Sequence, residues 1–190
     1  MKFFIDTANI KEIEELVPTG FVDGVTTNPS LIAKNGDDMA KTIKAICSIV
    51  SGPVSAEVTA TDFNKMLEEG QYLSSLAKNV TIKVPLTFNG LKVCKILREK
   101  NIMVNVTLCF SAAQALLAAK AGASFISPFV GRLDDIGENG MSLIENIVIM
   151  YENYGFETEV LVASVRSPQH VIDAAVIGAH VATLPPKVIH

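Results

Sequence analysis

Short apolar runs rich in β-branched residues alternate, along the whole chain, with longer segments whose apolar positions recur every three to four residues. The short runs predict strands at 2–6 (KFFID), 24–27 (GVTT), 54–58 (VSAEV), 80–84 (VTIKV), 103–108 (MVNVTL), 124–129 (SFISPF), 159–164 (EVLVAS) and 180–185 (HVATLP). Between them the spacing predicts amphipathic helices. Over 62–77, Phe63, Met66 and Leu67 fall at i, i+3 and i+4, and Leu73, Leu76 and Ala77 repeat the pattern. Over 139–154, Ile144, Ile147, Val148 and Tyr151 share one face. The SAAQ run at 111–114 reads as a capping box, and Ser167 followed by Pro168 as an N-cap with proline at the first helical position.

Most of these strands are apolar at both parities, the pattern of strands covered on both sides, so the alternation implies a parallel sheet clothed by helices. Eight strands with seven crossovers suit a closed (β/α)8 TIM barrel better than an open sheet. No Pro- or Gly-rich linker divides the series, so one domain is expected over 1–190. The chain reaches PPKVIH where an eighth helix would begin, so the final helix is expected to be incomplete.

Composition narrows the classes. Hydrophobic residues make up 49% of the chain, which excludes a disordered protein, and a net charge of −4 argues against nucleic acid. No apolar run approaches the roughly 20 residues of a membrane helix. The N-terminal run meets Asp6 too early for a signal peptide. Three dispersed cysteines in apolar segments offer neither a disulfide framework nor a metal cluster. A reduced, cytoplasmic protein is expected. There is no GxGxxG, P-loop, HExxH or CxxC, so no cofactor and no metal are expected.

Polar residues then stand out at the ends of apolar strands. Asp6 closes the first; Thr26, Thr27 and Asn28 follow the second; Glu57 ends the third; Lys83 interrupts the fourth between Ile82 and Val84. Asn105 and Thr107 lie two apart in the fifth and face the same way, Ser127 lies in the sixth, and Ser164 ends the seventh, with Arg166 on the same parity if that strand continues. In a parallel barrel the C-terminal strand ends meet at one face, where active sites form. A lysine in a strand is more often an exposed edge residue, but the fourth of eight parallel strands is no edge. Asp6 serves equally as a helix cap, Thr107 and Ser127 equally as satisfied core hydroxyls, and Asp134 and Asp135 read as a solvated loop.

Burial favours a neutral lysine, and a neutral amine attacks carbonyls. The resulting iminium is an electron sink for breaking a neighbouring carbon–carbon bond, provided one group shuttles protons and another takes a hydroxyl proton. Lys83, Glu57 and Asp6 match that need in number and type. These residues reach lysine-dependent aldol chemistry and stop short of a substrate.

The segments DGVTTNPSLI (23–32), TIKVP (81–85), VNVTLCFS (104–111), SPFVGRLDD (127–135) and ASVRS (163–167) together resemble the small transaldolases and their relatives, the fructose-6-phosphate aldolases, in order across nearly the whole chain. The resemblance implies a Schiff base between Lys83 and the dihydroxyacetone unit of a ketose phosphate, Asp6 as the base at the C4 hydroxyl, and Glu57 transferring protons through a water held with Thr107. It also implies that Asn28, Asn105 and Ser127, beside Thr27 and Phe129, bind the sugar, and that Arg132, Arg166 and Ser164 hold its phosphate. Sugar phosphates are then the partners, and a homo-oligomer, a pentamer or decamer, is expected by resemblance.

Two positions separate the sister activities. In the aldolase branch the positions of Glu57 and Phe129 are typically Gln and Tyr, so this chain carries the transaldolase combination. A tyrosine hydroxyl near the enamine would help release free dihydroxyacetone; a phenylalanine cannot. The expected activity is pentose-phosphate-pathway transaldolase. Fructose-6-phosphate aldolase is the nearest alternative, and a non-catalytic phosphosugar-binding barrel the more distant one.

Overall fold

A computed structural model describes residues 1–34 and 38–190. In chain order the elements are β1 (Lys2–Asp6), α1 (Ile10–Leu16), β2 (Val22–Thr26), α2 (Pro29–Lys34), α3 (Met39–Ile49), β3 (Val54–Glu57), α4 (Phe63–Ser74), β4 (Val80–Pro85), α5 (Phe88–Glu99), β5 (Val104–Cys109), α6 (Ala112–Lys120), β6 (Phe125–Pro128), α7 (Val130–Asp134), α8 (Gly140–Tyr154), β7 (Glu159–Val162), α9 (Pro168–Ile177), β8 (Val181–Leu184) and α10 (Pro186–Ile189). The strands run parallel and close into a barrel, β1 pairing with both β2 and β8, so the fold is the expected (β/α)8 TIM barrel.

Every expected strand forms within two residues of its expected bounds. The caps form as well. Ser111 accepts from the Gln114 amide while Gln114 Oε1 reaches back to the Phe110 amide, and Ser167 caps α9 ahead of Pro168. Two crossovers are richer than the pattern showed. The β2–β3 connection carries α2 and α3, and the β6–β7 connection carries α7 and α8. The GRLDD run, expected as a solvated loop, is the body and C-terminus of α7, and Asp134 Oδ1 accepts from Gly140 N at the start of α8.

Strand alternation sorts the side chains into two cores. Val25, Ala56, Ile82, Val84, Val104, Val106, Ile126, Val160 and Val162 point outward and are buried under the helices, as is Ile5, each large one contributing roughly 1.5–3 kcal/mol. Inside the barrel, Phe4, Phe125, Leu161 and Val181 form an apolar floor, with the Phe4 and Phe125 rings edge-to-face at 5.7 Å. Gly24 is required beside it, because a Cβ there would come within 2.6 Å of the Phe4 ring and 2.7 Å of the Pro53 carbonyl. Above the floor the interior turns polar.

After β8 comes α10 (Pro186–Ile189). Beside it Phe3, Phe21, Val171, Ile172, Leu184 and Ile189 line an open apolar groove of about 300 Å³. Among the described residues no helix is long and apolar enough to cross a membrane.

Candidate active site

Parallel register builds the upper barrel. Glu57 on β3 pairs with Lys83 on β4, and Lys83 in turn pairs with Asn105 on β5. Because Ile82 and Val84 face the helices, Lys83 must face the interior, where it is 7% exposed. Its Nζ lies 3.0 Å from Glu57 Oε2 and donates to the Thr27 carbonyl at 3.2 Å. An ammonium has three donors, so one stays available to the cavity.

Asp6 arrives from β1. Its Oδ1 accepts from Thr26 Oγ1 at 2.8 Å, and that hydroxyl, its proton committed, accepts from Thr183 Oγ1 at 2.6 Å. Burial pushes the Asp6 carboxyl above its ordinary range; the Thr26 hydrogen bond and the charge of Lys83 pull the other way without cancelling that effect. Asn105, the register partner of Lys83, and Ser127 belong to one polar network. Ser127 donates to Asn105 Oδ1 at 2.8 Å, and Asn105 Nδ2 donates to Ser55 Oγ at 3.4 Å, the amide being oriented by this network. Thr107 Oγ1 is buried and has no hydrogen-bond partner among the described residues, an open polar contact in the cavities that Lys83 lines. Such a group costs stability unless something binds it.

Two cavities open here. The deeper, about 170 Å³, is lined by Asp6, Thr26, Asn28, Lys83, Thr107, Ser127, Phe129, Arg132, Ser164 and others. The outer one, about 510 Å³, adds Glu57 and Leu108 and shares Asn28, Lys83, Thr107, Phe129 and Arg132 with the first. Lys83 therefore touches both spaces. The wall is shaped by unusual backbone. Leu108 and Ser164 take left-handed conformations (φ 62° and 59°), which non-glycine residues rarely adopt outside functional sites. At Leu108 the β5–β6 register slips between Val106 and Cys109.

Most of the residues singled out in the sequence meet at this mouth. Asp6, Asn28, Glu57, Lys83, Thr107, Ser127, Phe129, Arg132 and Ser164 line the cavities, and Asn105 is the β5 register partner of Lys83. Thr27 lies behind them, its hydroxyl on the Ser55 carbonyl and its own carbonyl holding Lys83. Arg166 differs. β7 ends at Val162 and Ser164 breaks the pleat, so the shared parity of Ser164 and Arg166 does not hold, and the Arg166 fork rests on Asp135 at 2.6 and 2.5 Å. Sequence reasoning passed over Thr183 and His170; it read Asp134 and Asp135 as a solvated loop, and they are indeed exposed but stand at the end of α7, where they pair with His170 and Arg166. Thr183 had a legible signal, a lone hydroxyl in an apolar strand; the carboxylates had none.

The model of the family described as transaldolase/fructose-6-phosphate aldolase matches residues 3–190. The chain belongs to this family. A protein named "Probable transaldolase" from Rhodospirillum centenum is 62% identical over 190 residues, covering all of this chain and 82% of the relative. One of the same name from Parvibaculum lavamentivorans is 63% identical over 190 residues, covering all of this chain and 87% of the relative. Among solved structures, a mandelate oxidase variant with an FMN adduct superposes with a TM-score of 0.67 at 13% identity, over 97% of this chain and 63% of that one. That likeness is one of fold alone. Phe129 follows β6 as the N-cap of α7 and lines both cavities together with Lys83. Phe129 stacks edge-on against Phe110 at 5.8 Å and carries the Arg132 guanidinium over its ring at 5.3 Å.

Proposed function

We propose that the chain is a transaldolase that moves a dihydroxyacetone unit from fructose 6-phosphate or sedoheptulose 7-phosphate to glyceraldehyde 3-phosphate or erythrose 4-phosphate. The observation that carries this reading is the buried Lys83 amine, 3.0 Å from Glu57, in a cavity whose lining aromatic is Phe129. In the proposed sequence Lys83 Nζ adds to the ketose carbonyl, and Glu57 moves protons as the carbinolamine loses water to give the iminium. The open Thr107 hydroxyl is suited to hold the water or carbinolamine oxygen in that step. Asp6 takes the C4 hydroxyl proton, the C3–C4 bond breaks, the aldose phosphate leaves, and the bonding electrons pass into an enamine on Lys83. The enamine then adds to the carbonyl carbon of the acceptor, Asp6 returns its proton to the new hydroxyl, and hydrolysis frees the product and the amine. Asn28, Asn105 and Ser127 are assigned to the sugar hydroxyls, and Arg132, Ser164 and Arg166 to the phosphate, which suits guanidinium forks.

The fate of the enamine separates the two family activities. With fructose 6-phosphate and erythrose 4-phosphate, sedoheptulose 7-phosphate and glyceraldehyde 3-phosphate are expected. Release of dihydroxyacetone from fructose 6-phosphate alone, at a rate matching transfer, would move the assignment to fructose-6-phosphate aldolase. Phe129→Tyr is expected to raise that release about tenfold, short of the 10²–10⁴ that an aligned general acid supplies. Thr107→Val keeps the side-chain shape and removes the orphaned hydroxyl. It is expected to leave Tm equal or higher while lowering kcat by roughly 10²-fold; a lowered Tm with unchanged kcat would deny the hydroxyl its role.

A further inference from the structure

We propose that Asp135 is a positioning residue for Arg166, and that through it the α7 helix sets the preference for phosphorylated over unphosphorylated substrates; this rests on the reading of Arg166 as a phosphate ligand. Since the left-handed Ser164 ends the strand pleat, the sheet does not dictate where Arg166 goes. Three other contacts do. The fork donates end-on, Nη1 to Asp135 Oδ1 and Nη2 to Asp135 Oδ2. This pairing uses one N–H from each terminal nitrogen and leaves Nε–H and the other two N–H groups for an anion. The stem lies across Gly131, where a Cβ would collide with the Ser164 carbonyl oxygen and fall 2.6 and 2.8 Å from Arg166 Nε and Cγ, so any side chain there would displace the Ser164–Arg166 segment. The Arg166 amide donates to His170 Nδ1 at 3.3 Å, and His170 Nε2 lies 3.2 Å from Asp134 Oδ2. That arrangement assigns the proton to Nε2 and ties the loop after β7 back to α7.

As stability devices these contacts are poor, because the Arg166–Asp135 pair is half exposed on both sides (47% and 51%) and such pairs contribute little. As orienting devices they are efficient. A free arginine loses much rotamer freedom when it grips a ligand, and a guanidinium already fixed by a carboxylate loses less. The same short helix thus presents Arg132 directly, against the Phe129 ring, and Arg166 indirectly, through Asp135.

The test compares kcat/KM for erythrose 4-phosphate and for erythrose as acceptors of the same donor, in the full chain and in Asp135→Asn, Asp135→Glu, Arg166→Ala and the Asp135→Asn/Arg166→Ala pair. Asp135→Asn is expected to lower the phosphorylated-to-unphosphorylated ratio about three- to tenfold, the scale of ordering one rotamer-rich side chain, mainly through KM. Asp135→Glu is expected to recover part of it. In the Arg166→Ala background Asp135→Asn should add nothing, since its effect runs through the arginine. A ratio unchanged by Asp135→Asn while Arg166→Ala lowers it overturns this inference and leaves the phosphate reading standing. A ratio unchanged by Arg166→Ala overturns both. An equal loss from Asp135→Asn with and without Arg166 also overturns the inference, because the carboxylate would then be acting on something else.

Discussion

Lys83→Met is expected to lower kcat for transfer by on the order of 10⁴-fold or more, the scale of removing a covalent nucleophile, and to leave the barrel folded. Methionine is unbranched and fills nearly the space of the lysine stem, so the interior keeps its packing. What changes is local: Glu57 loses its partner at 3.0 Å and the Thr27 carbonyl loses a donor. The direct measurement is borohydride reduction in the presence of fructose 6-phosphate. The native chain should gain a reduced sugar adduct on the peptide carrying Lys83, and Lys83→Met should gain none. The expectation is selective because Lys83 lines both mouth cavities, whereas lysines such as Lys95 and Lys2 stand in solvent, 68% and 51% exposed, away from the groups that would hold the sugar. No adduct on the native chain, or an adduct that persists in Lys83→Met, would remove the Schiff-base mechanism.

The lysine was legible because its setting is periodic. A strand alternates strictly, so apolar Ile82 and Val84 on one face turn Lys83 to the other, and β3–β4 register brings Glu57 beside it. The same logic held for Asn105, Thr107 and Ser127, all on regular strands. It failed where regularity ends. Ser164 lies past β7 in a left-handed conformation, and nothing in ASVRS announces that its neighbour two residues on will turn toward α7. Asp134 and Asp135 are exposed, as a solvated run predicts, but they close α7 instead of lying in a loop, and their partners Arg166 and His170 come from beyond β7. The orphaned Thr107 hydroxyl could not be read from sequence either, because an unmet hydrogen bond is a property of the surroundings. Elements and inward-facing residues follow from period; partners across loops follow from packing.

Asp6→Asn should separate catalysis from stability. Removing the base for the C4 hydroxyl is expected to lower kcat about 10²–10⁴-fold, the usual range for general acid–base groups. Yet the folded protein should become more stable. The Asp6 carboxyl is raised chiefly by burial, so the folded state binds its proton more tightly than the unfolded chain does, whose value is near 3.8. By linkage, wild-type stability falls as pH climbs from the unfolded value through the raised folded value, and above that window the cost of the buried charge is fully present. Asparagine carries no charge and its Oδ1 still accepts from Thr26, so the Thr183–Thr26 chain survives. The Tm of Asp6→Asn should therefore exceed that of the native chain at neutral pH, with about 2–4 °C for each 1 kcal/mol in a chain of this size. The gap should close as pH falls through the same window. The native enzyme needs Asp6 ionised, so its kcat/KM should fail on acidification at a pH above the ordinary carboxylate range, and Asp6→Asn should lose that limb. A native acid limb at the ordinary carboxylate value, or a Tm for Asp6→Asn below the native one at neutral pH, would mean that Thr26 and Lys83 outweigh burial, and that Asp6 stabilises the fold as an ion.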